Sequence, residues 1–166
     1  QFLEWFNLDH LGRSAGQFDE AKLRWVNAQH LKALDDAALA ELVRPFVLKT
    51  GLDQALLDAD DRLPRICALF KDRCETLVDL ADWVRLFYVD AFDRNADDLA
   101  KHVTDAVAPA LDAFAEGIAS VEWSKEAIAA LIKEVLKAQG LKMPQLAMPV
   151  RVLTLGTAHT PSVDAV

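Results

Sequence analysis

Apolar residues recur three and four positions apart through nearly the whole chain as far as Gly140. The segments that carry this spacing open on aspartate, serine or proline and close on glycine. Only an α-helix gathers residues so spaced onto one face, so the chain is predicted to be all-α. In FDEAKLRWVNAQHLKAL the apolar positions are Phe18, Leu23, Trp25, Val26 and Leu34, and Asp19 and Glu20 stand in the first turn, where the helix dipole favours acids. DDAALAELVRPFVLKTG should be capped by Asp35 or Asp36, bent at Pro45 and stopped at Gly51. Residues 51–61 are acidic and turn-like. Pro64 suits the first turn of one long helix, LPRICALFKDRCETLVDLADWVRLFYVD, with Leu69, Phe70, Leu77, Leu80, Trp83 and Val84 as its buried stripe.

Beyond the charged connector DAFDRNADDL, two further amphipathic helices are expected over residues 100–117 and 121–140, the second opened by Ser124 with Glu126 behind it. VRVLTLG is rich in β-branched residues but has no partner strand, and is expected to be an extended loop or a segment flanking a helix. A boundary near Phe92–Asp98 divides two small helical bundles in series, residues 1–92 and 93–166.

With 52% hydrophobic residues, the 166-residue chain can bury a core, yet no apolar run approaches the ~20 residues of a membrane span. The start, QFLEWFNLDHLGRS, lacks the basic region and apolar core of a signal peptide. Cys67 and Cys74, seven positions apart on one expected helix, would lie about 10 Å from each other, too far for a disulfide. They are read as reduced core residues of a cytoplasmic protein.

A formal net charge of -8 argues against indiscriminate nucleic-acid binding, which comes from neutralised phosphates. It leaves room for a module that reads a few exposed bases by stacking and edge contacts. One place suits that role. From Val135 to Val163 there is no acidic residue, and Lys137, Lys142 and Arg151 stand there among Thr154, Thr157, His159 and Thr160.

The chemistry of a self-sufficient enzyme is missing from these 166 residues. They hold no glycine-rich phosphate loop, no nucleophile elbow and no Cys/His metal spacing. His10, His30, His102 and His159 are scattered, and Asp35/Asp36, Asp60/Asp61 and Asp97/Asp98 are adjacent pairs that read as caps and solvated turns. Trp5, Trp25, Trp83 and Trp123 could stack on bases, but apolar stripes hold three of them and packing is the expected use. The residues alone describe a helical binding module, for RNA or for another protein.

Three ordered segments resemble bacterial glutamyl-tRNA synthetases. FNLDHLGRSAGQFDEAKLRWVN is similar to the passage after that family's catalytic domain, with Phe18, Lys22, Leu23, Trp25 and Asn27 on its FxxxKLxWxN signature. LFKDRCETLVDLADWVRLFY resembles the long helix with an ER-x-x-TL core. PVRVLTLGTAHTPSVDAV resembles the closing motif PLRxAxTGxxxxP, with Pro149, Arg151, Gly156, Thr160 and Pro161 in register. Val150, Thr154 and Leu155 depart mildly from that motif, and both chain ends suggest a piece of a longer protein, truncated within its second domain.

The resemblance implies an all-α anticodon-binding region of the class I, cage type, from a monomeric cytoplasmic ligase that joins glutamate to tRNA(Glu). This piece would carry no cofactor and no catalytic residue. ATP and Mg2+ would serve an upstream catalytic domain of the same chain. Arg73 would contact the third anticodon base, Arg151 would be the anticodon-binding arginine of the closing motif, and Thr160 and Val163 would line the first and second bases, with Lys133 as a further basic contact. Arg73, rather than glutamine, implies an enzyme that tells tRNA(Glu) from tRNA(Gln). Thr160 precedes Pro161 and is expected to be extended, presenting its hydroxyl outward. The competing readings are a helix-pair adaptor for another protein and an anticodon module that has left its synthetase.

Overall fold

The computed structural model describes residues 16–166, so Trp5, His10 and the opening QFLEWF lie outside the described residues. Nine α-helices and one 3-10 turn make up the described chain, without a strand. They are α1 (Glu20–Ala33), α2 (Asp36–Lys49), α3 (Gln54–Asp58), α4 (Leu63–Phe70), α5 (Leu77–Arg85), α6 (Ala96–His102), α7 (Ala108–Ile118), α8 (Lys125–Gln139) and α9 (Met143–Leu155). No described helix is long and apolar enough to cross a membrane.

The predicted caps account for most boundaries. Asp19 accepts from the Lys22 amide at 3.0 Å to open α1. Asp35, not Asp36, caps α2 by accepting from the amides of Ala37 and Ala38. Ser124 opens α8, and Gly140, at φ 65°, closes it in the left-handed conformation that glycine adopts without strain. The acidic turn after Gly51 holds a short helix that periodicity could not show: Asp53 accepts from the Ala55 amide at 2.9 Å and starts α3.

Three helices differ from expectation. The long central helix is two, because the chain tightens into a 3-10 turn at Lys71–Arg73 and runs extended at Cys74 before α5 begins. A capping box causes the restart: Thr76 Oγ1 accepts from the Asp79 amide at 3.1 Å, while the Asp79 carboxylate accepts from the Thr76 amide at 2.9 Å and the Glu75 amide at 3.2 Å. Cys67 and Cys74 therefore do not share a helix. Both are buried free thiols, pushed up to about 12 by desolvation.

The expected helix over 100–117 is likewise divided, into α6 and α7. The VRVLTLG string is helical throughout, as the second half of α9. Pro144 sits in the first turn of α9, where a missing amide costs nothing, and Leu146, Val150, Val152 and Leu155 are all buried. Burial of that stripe overrides the weak helix propensity of β-branched residues.

Two hydrophobic clusters form among the described residues. The first joins α1 to α5 around Phe70, whose ring stacks on Trp83 at 4.8 Å and meets Phe87 edge-on at 5.8 Å. The second joins α7, α8 and α9 through Phe114, Ile132, Val135, Leu146 and Val150. Leu155, the last residue of α9, belongs to the first cluster. The expected packing of tryptophans holds for Trp83 alone among those described, since Trp25 is 62% and Trp123 80% exposed.

Candidate nucleic-acid interface

Arg73 ends the 3-10 turn with its side chain exposed, while its neighbour Cys74 is buried and anchors the backbone. Asp79 is held by its capping duties, and Lys71 pairs with Asp36 at 2.6 Å. Arg73 makes no ion pair among the described residues, so the helix-surface pairing with Asp72, Glu75 or Asp79 that its sequence neighbours allow is not formed. From the other side, the side-chain amide of Asn27 on α1 donates to the Glu75 carbonyl and ties α1 to the break beside Arg73.

Arg151 lies on α9, half-buried, without a carboxylate partner among the described residues. Its Nη1 approaches Met148 Sδ at 3.7 Å, and its Nε is buried with no hydrogen-bond partner. A buried donor left unsatisfied costs roughly 1–3 kcal/mol, which an acceptor such as a phosphate or base oxygen would recover. Lys133 is exposed on α8, beside the buried Ile132.

The tail after α9 turns back on itself. Gly156, at φ 80°, ends the helix, and a Cβ there would stand 2.8 Å from the Asp93 carbonyl oxygen, so only glycine fits. The Asn95 amide donates to the Gly156 carbonyl at 2.8 Å. Asp98 then accepts from the Thr157 hydroxyl at 3.0 Å and from the Ala158 amide at 2.9 Å. These donors, the Ala158 amide first, hold the Asp98 carboxyl below its ordinary value of 3.8. Asp97 and Asp98 thus differ: Asp98 is a clamp on the tail, not a solvated turn residue.

The clamp overturns the expectation for Thr160. Its side chain points inward, the residue is 2% exposed, and its hydroxyl donates to the Pro161 carbonyl at 3.0 Å. Val163 is half-buried and packs on the second cluster. The turn fixed by Gly156 and Asp98 folds the residues ahead of Pro161 against the body.

Among the described residues, five open grooves of 380 to 760 Å3 are lined by none of Arg73, Lys133, Arg151, Thr160 or Val163. One of them, of about 410 Å3, lies between Asp82, Trp83 and Arg85 of α5 and Leu155–Thr157 at the end of α9, with Phe92 between them. The tail thus meets the second half of α5, whereas Arg73 stands ahead of its first turn. No group of three or more metal-ligating side chains occurs among the described residues.

Residues 38–166 match the family described as the anticodon binding domain. The chain belongs to that family. The anticodon-binding domain here is similar over its whole length to curated glutamate–tRNA ligases: 98% identical to that of Delftia acidovorans and 78% to that of an Acidovorax strain, JS42. It spans 36% and 35% of those two proteins, about a third of the length of the relatives it matches. Among solved structures, a glutamate–tRNA ligase from Elizabethkingia meningosepticum superposes with a TM-score of 0.80 over 96% of this chain and 31% of its own. A second, from Elizabethkingia anophelis, gives 0.75. At 21% identity, these two support the all-α fold alone.

The motifs single out Arg73 and Arg151, and the structure places the first exposed and the second half-buried. Sequence reasoning missed Asn27 as a tie to the break, and Asp98 as the tail's clamp. Asn95 three places before Asp98 is a capping signal visible in the sequence, and Asn95 Oδ1 does accept from the Asp98 amide at 2.9 Å. The bonds from Asp98 to residues 59 and 60 positions away leave no local trace.

Proposed function

We propose that this anticodon-binding domain reads the anticodon loop of tRNA(Glu) as part of a cytoplasmic, monomeric glutamate–tRNA ligase, whose remaining chain joins glutamate to the tRNA with ATP and Mg2+. The observation that carries the proposal is the exposed guanidinium of Arg73, which pairs with no carboxylate among the described residues and stands at a break between two helices. Glutamate anticodons end in C and glutamine anticodons in G. On its pairing edge C offers the acceptors O2 and N3, which paired guanidinium donors can meet, whereas G turns N1–H and N2–H donors toward them.

Arg151, half-buried on α9 with its Nε lacking a partner among the described residues, supplies the second cationic contact, which requires its side chain to swing outward. Lys133 is a peripheral basic contact. Thr160 and Val163 support the tail from beneath, and direct contact between the Thr160 hydroxyl and a base requires the tail to open. The division into units at 92/93 is part of the same proposal, with Leu155 reaching across it into the first cluster.

The test is binding of anticodon stem-loops that end in C or in G to the full-length ligase. The C loop should bind more tightly by roughly 1–3 kcal/mol, the cost of donors facing donors, and Arg73→Gln should remove most of that difference. Equal affinities for both loops in the unsubstituted protein would sink the assignment.

A further inference from the structure

The chain has two methionines, and both stand on α9. Met143 opens the helix and is 47% exposed. Met148 is half-buried one turn before Arg151, and its sulfur lies 3.7 Å from Arg151 Nη1. It also lines an open groove of about 380 Å3 with Lys101, His102, Thr104, Pro144 and Gln145, through which a small solute reaches it from solvent. A thioether sulfur is a weak acceptor. Arg151 Nε has no hydrogen-bond partner among the described residues, and no carboxylate there pairs with the guanidinium. A guanidinium held by one weak bond leaves it at little cost.

Oxidation changes that balance. Hydrogen peroxide, or another hydroperoxide, transfers one oxygen to the sulfur: the O–O bond breaks, an S–O bond forms, the sulfur loses two electrons and the peroxide leaves as water. The sulfoxide oxygen is a far stronger acceptor than the sulfur that bears it. On the side that faces Arg151, it stands within the ~2.7–3.2 Å reach of an ordinary N–H···O bond, where the sulfur is 3.7 Å away. We propose that Met148 is a modification site, whose sulfoxide captures the Arg151 guanidinium and lowers the affinity of the domain for RNA. The inference rests on the RNA contact proposed above for Arg151, and extends it: the sulfoxide holds the guanidinium inward, against the swing which that contact requires. Methionine sulfoxide reductases reverse the change, which makes the pair a reversible switch.

The test uses the full-length ligase, its Met148→Leu form and its Arg151→Gln form, each before and after hydrogen peroxide. Peptide mass mapping should find Met148 oxidised in the folded protein, with Met143 as the reference for an open methionine. In arginine-labelled protein the Arg151 Nε–Hε resonance, identified by its loss in Arg151→Gln, should shift on oxidation and stay in place in Met148→Leu. Affinity for the anticodon stem-loop should fall several-fold, equally for loops that end in C and in G, because Arg73 is untouched. Met148→Leu conserves side-chain volume and should keep its affinity under peroxide, and sulfoxide reductases should restore the unsubstituted enzyme. Met148 that stays reduced while Met143 oxidises, an unmoved Arg151 resonance, or a loss of affinity that persists in Met148→Leu would each overturn the switch. Arg151→Gln separates the two readings. If it binds as tightly as the unsubstituted ligase, the RNA role of Arg151 falls and the switch with it. If it binds weakly while oxidation leaves affinity unchanged, the switch alone falls.

Discussion

Asp98 accepts hydrogen bonds from Thr157 and Ala158, and through them a single carboxylate fixes the path of the tail that Arg151 precedes. Because its folded pKa lies below 3.8, the ionised form is the one that folding favours. The clamp therefore contributes stability at all pH values above that range, and loses it as pH falls through the depressed folded pKa. In an NMR titration the Ala158 amide should shift with a midpoint below 3.8; a midpoint at or above that value would mean that the two bonds are not made in solution. The same paragraph of the molecule shows what a sequence can and cannot reveal about one residue. Arg73 could be singled out because its neighbours carry a motif and its exposure follows from being flanked by charges. Thr160 could not be placed correctly, because its direction depends on Asp98, which is sixty positions away.

Among the elements, the helix starts at Asp35 and Ser124 were legible because a capping side chain there precedes a clear apolar stripe. The break between α4 and α5 was not, because the apolar stripe runs on through it: Phe70, Cys74 and Leu80 are all buried in one cluster although the backbone between them is not continuous helix. Its signal was Thr76 with Asp79 three positions on, a capping box inside an apparently unbroken pattern. Thr76→Ala should lower the unfolding free energy by about 1 kcal/mol in urea titration, the usual worth of such a cap. A change within error would show that the break is held by packing of Cys74 alone. Helix α9 erred in the other direction, since its prolines and β-branched residues hid a helix whose buried face is supplied by α6, α7 and α8.

For the molecule as a whole, Leu155 joins what the charge pattern and connector divide. It is contributed by a helix of the second cluster and buried at 5% exposure in the first. Leu155→Ala should cost about 2–5 kcal/mol, as other buried leucine truncations do, read from the tryptophan signal of the Trp83–Phe70 stack during denaturation. A loss under about 1 kcal/mol, the scale of an ordinary surface change, would mean that Leu155 does not seat in that core. The all-α class could be read from periodicity. The seating of Leu155 in the first cluster could not, because it depends on residues far away in the chain and leaves no local signal.

The bond from Asn27 to the Glu75 carbonyl carries a consequence for how such a domain can diverge. The segment that bears Arg73 is steadied by a side chain on a helix outside the matched family region. Under the reading proposed for Arg73, selectivity between anticodons that differ in their last base can then drift through a change at position 27 that alters no atom facing the RNA. Ancestral relaxation of tRNA choice should accordingly leave its marks in α1 as well as at the arginine itself.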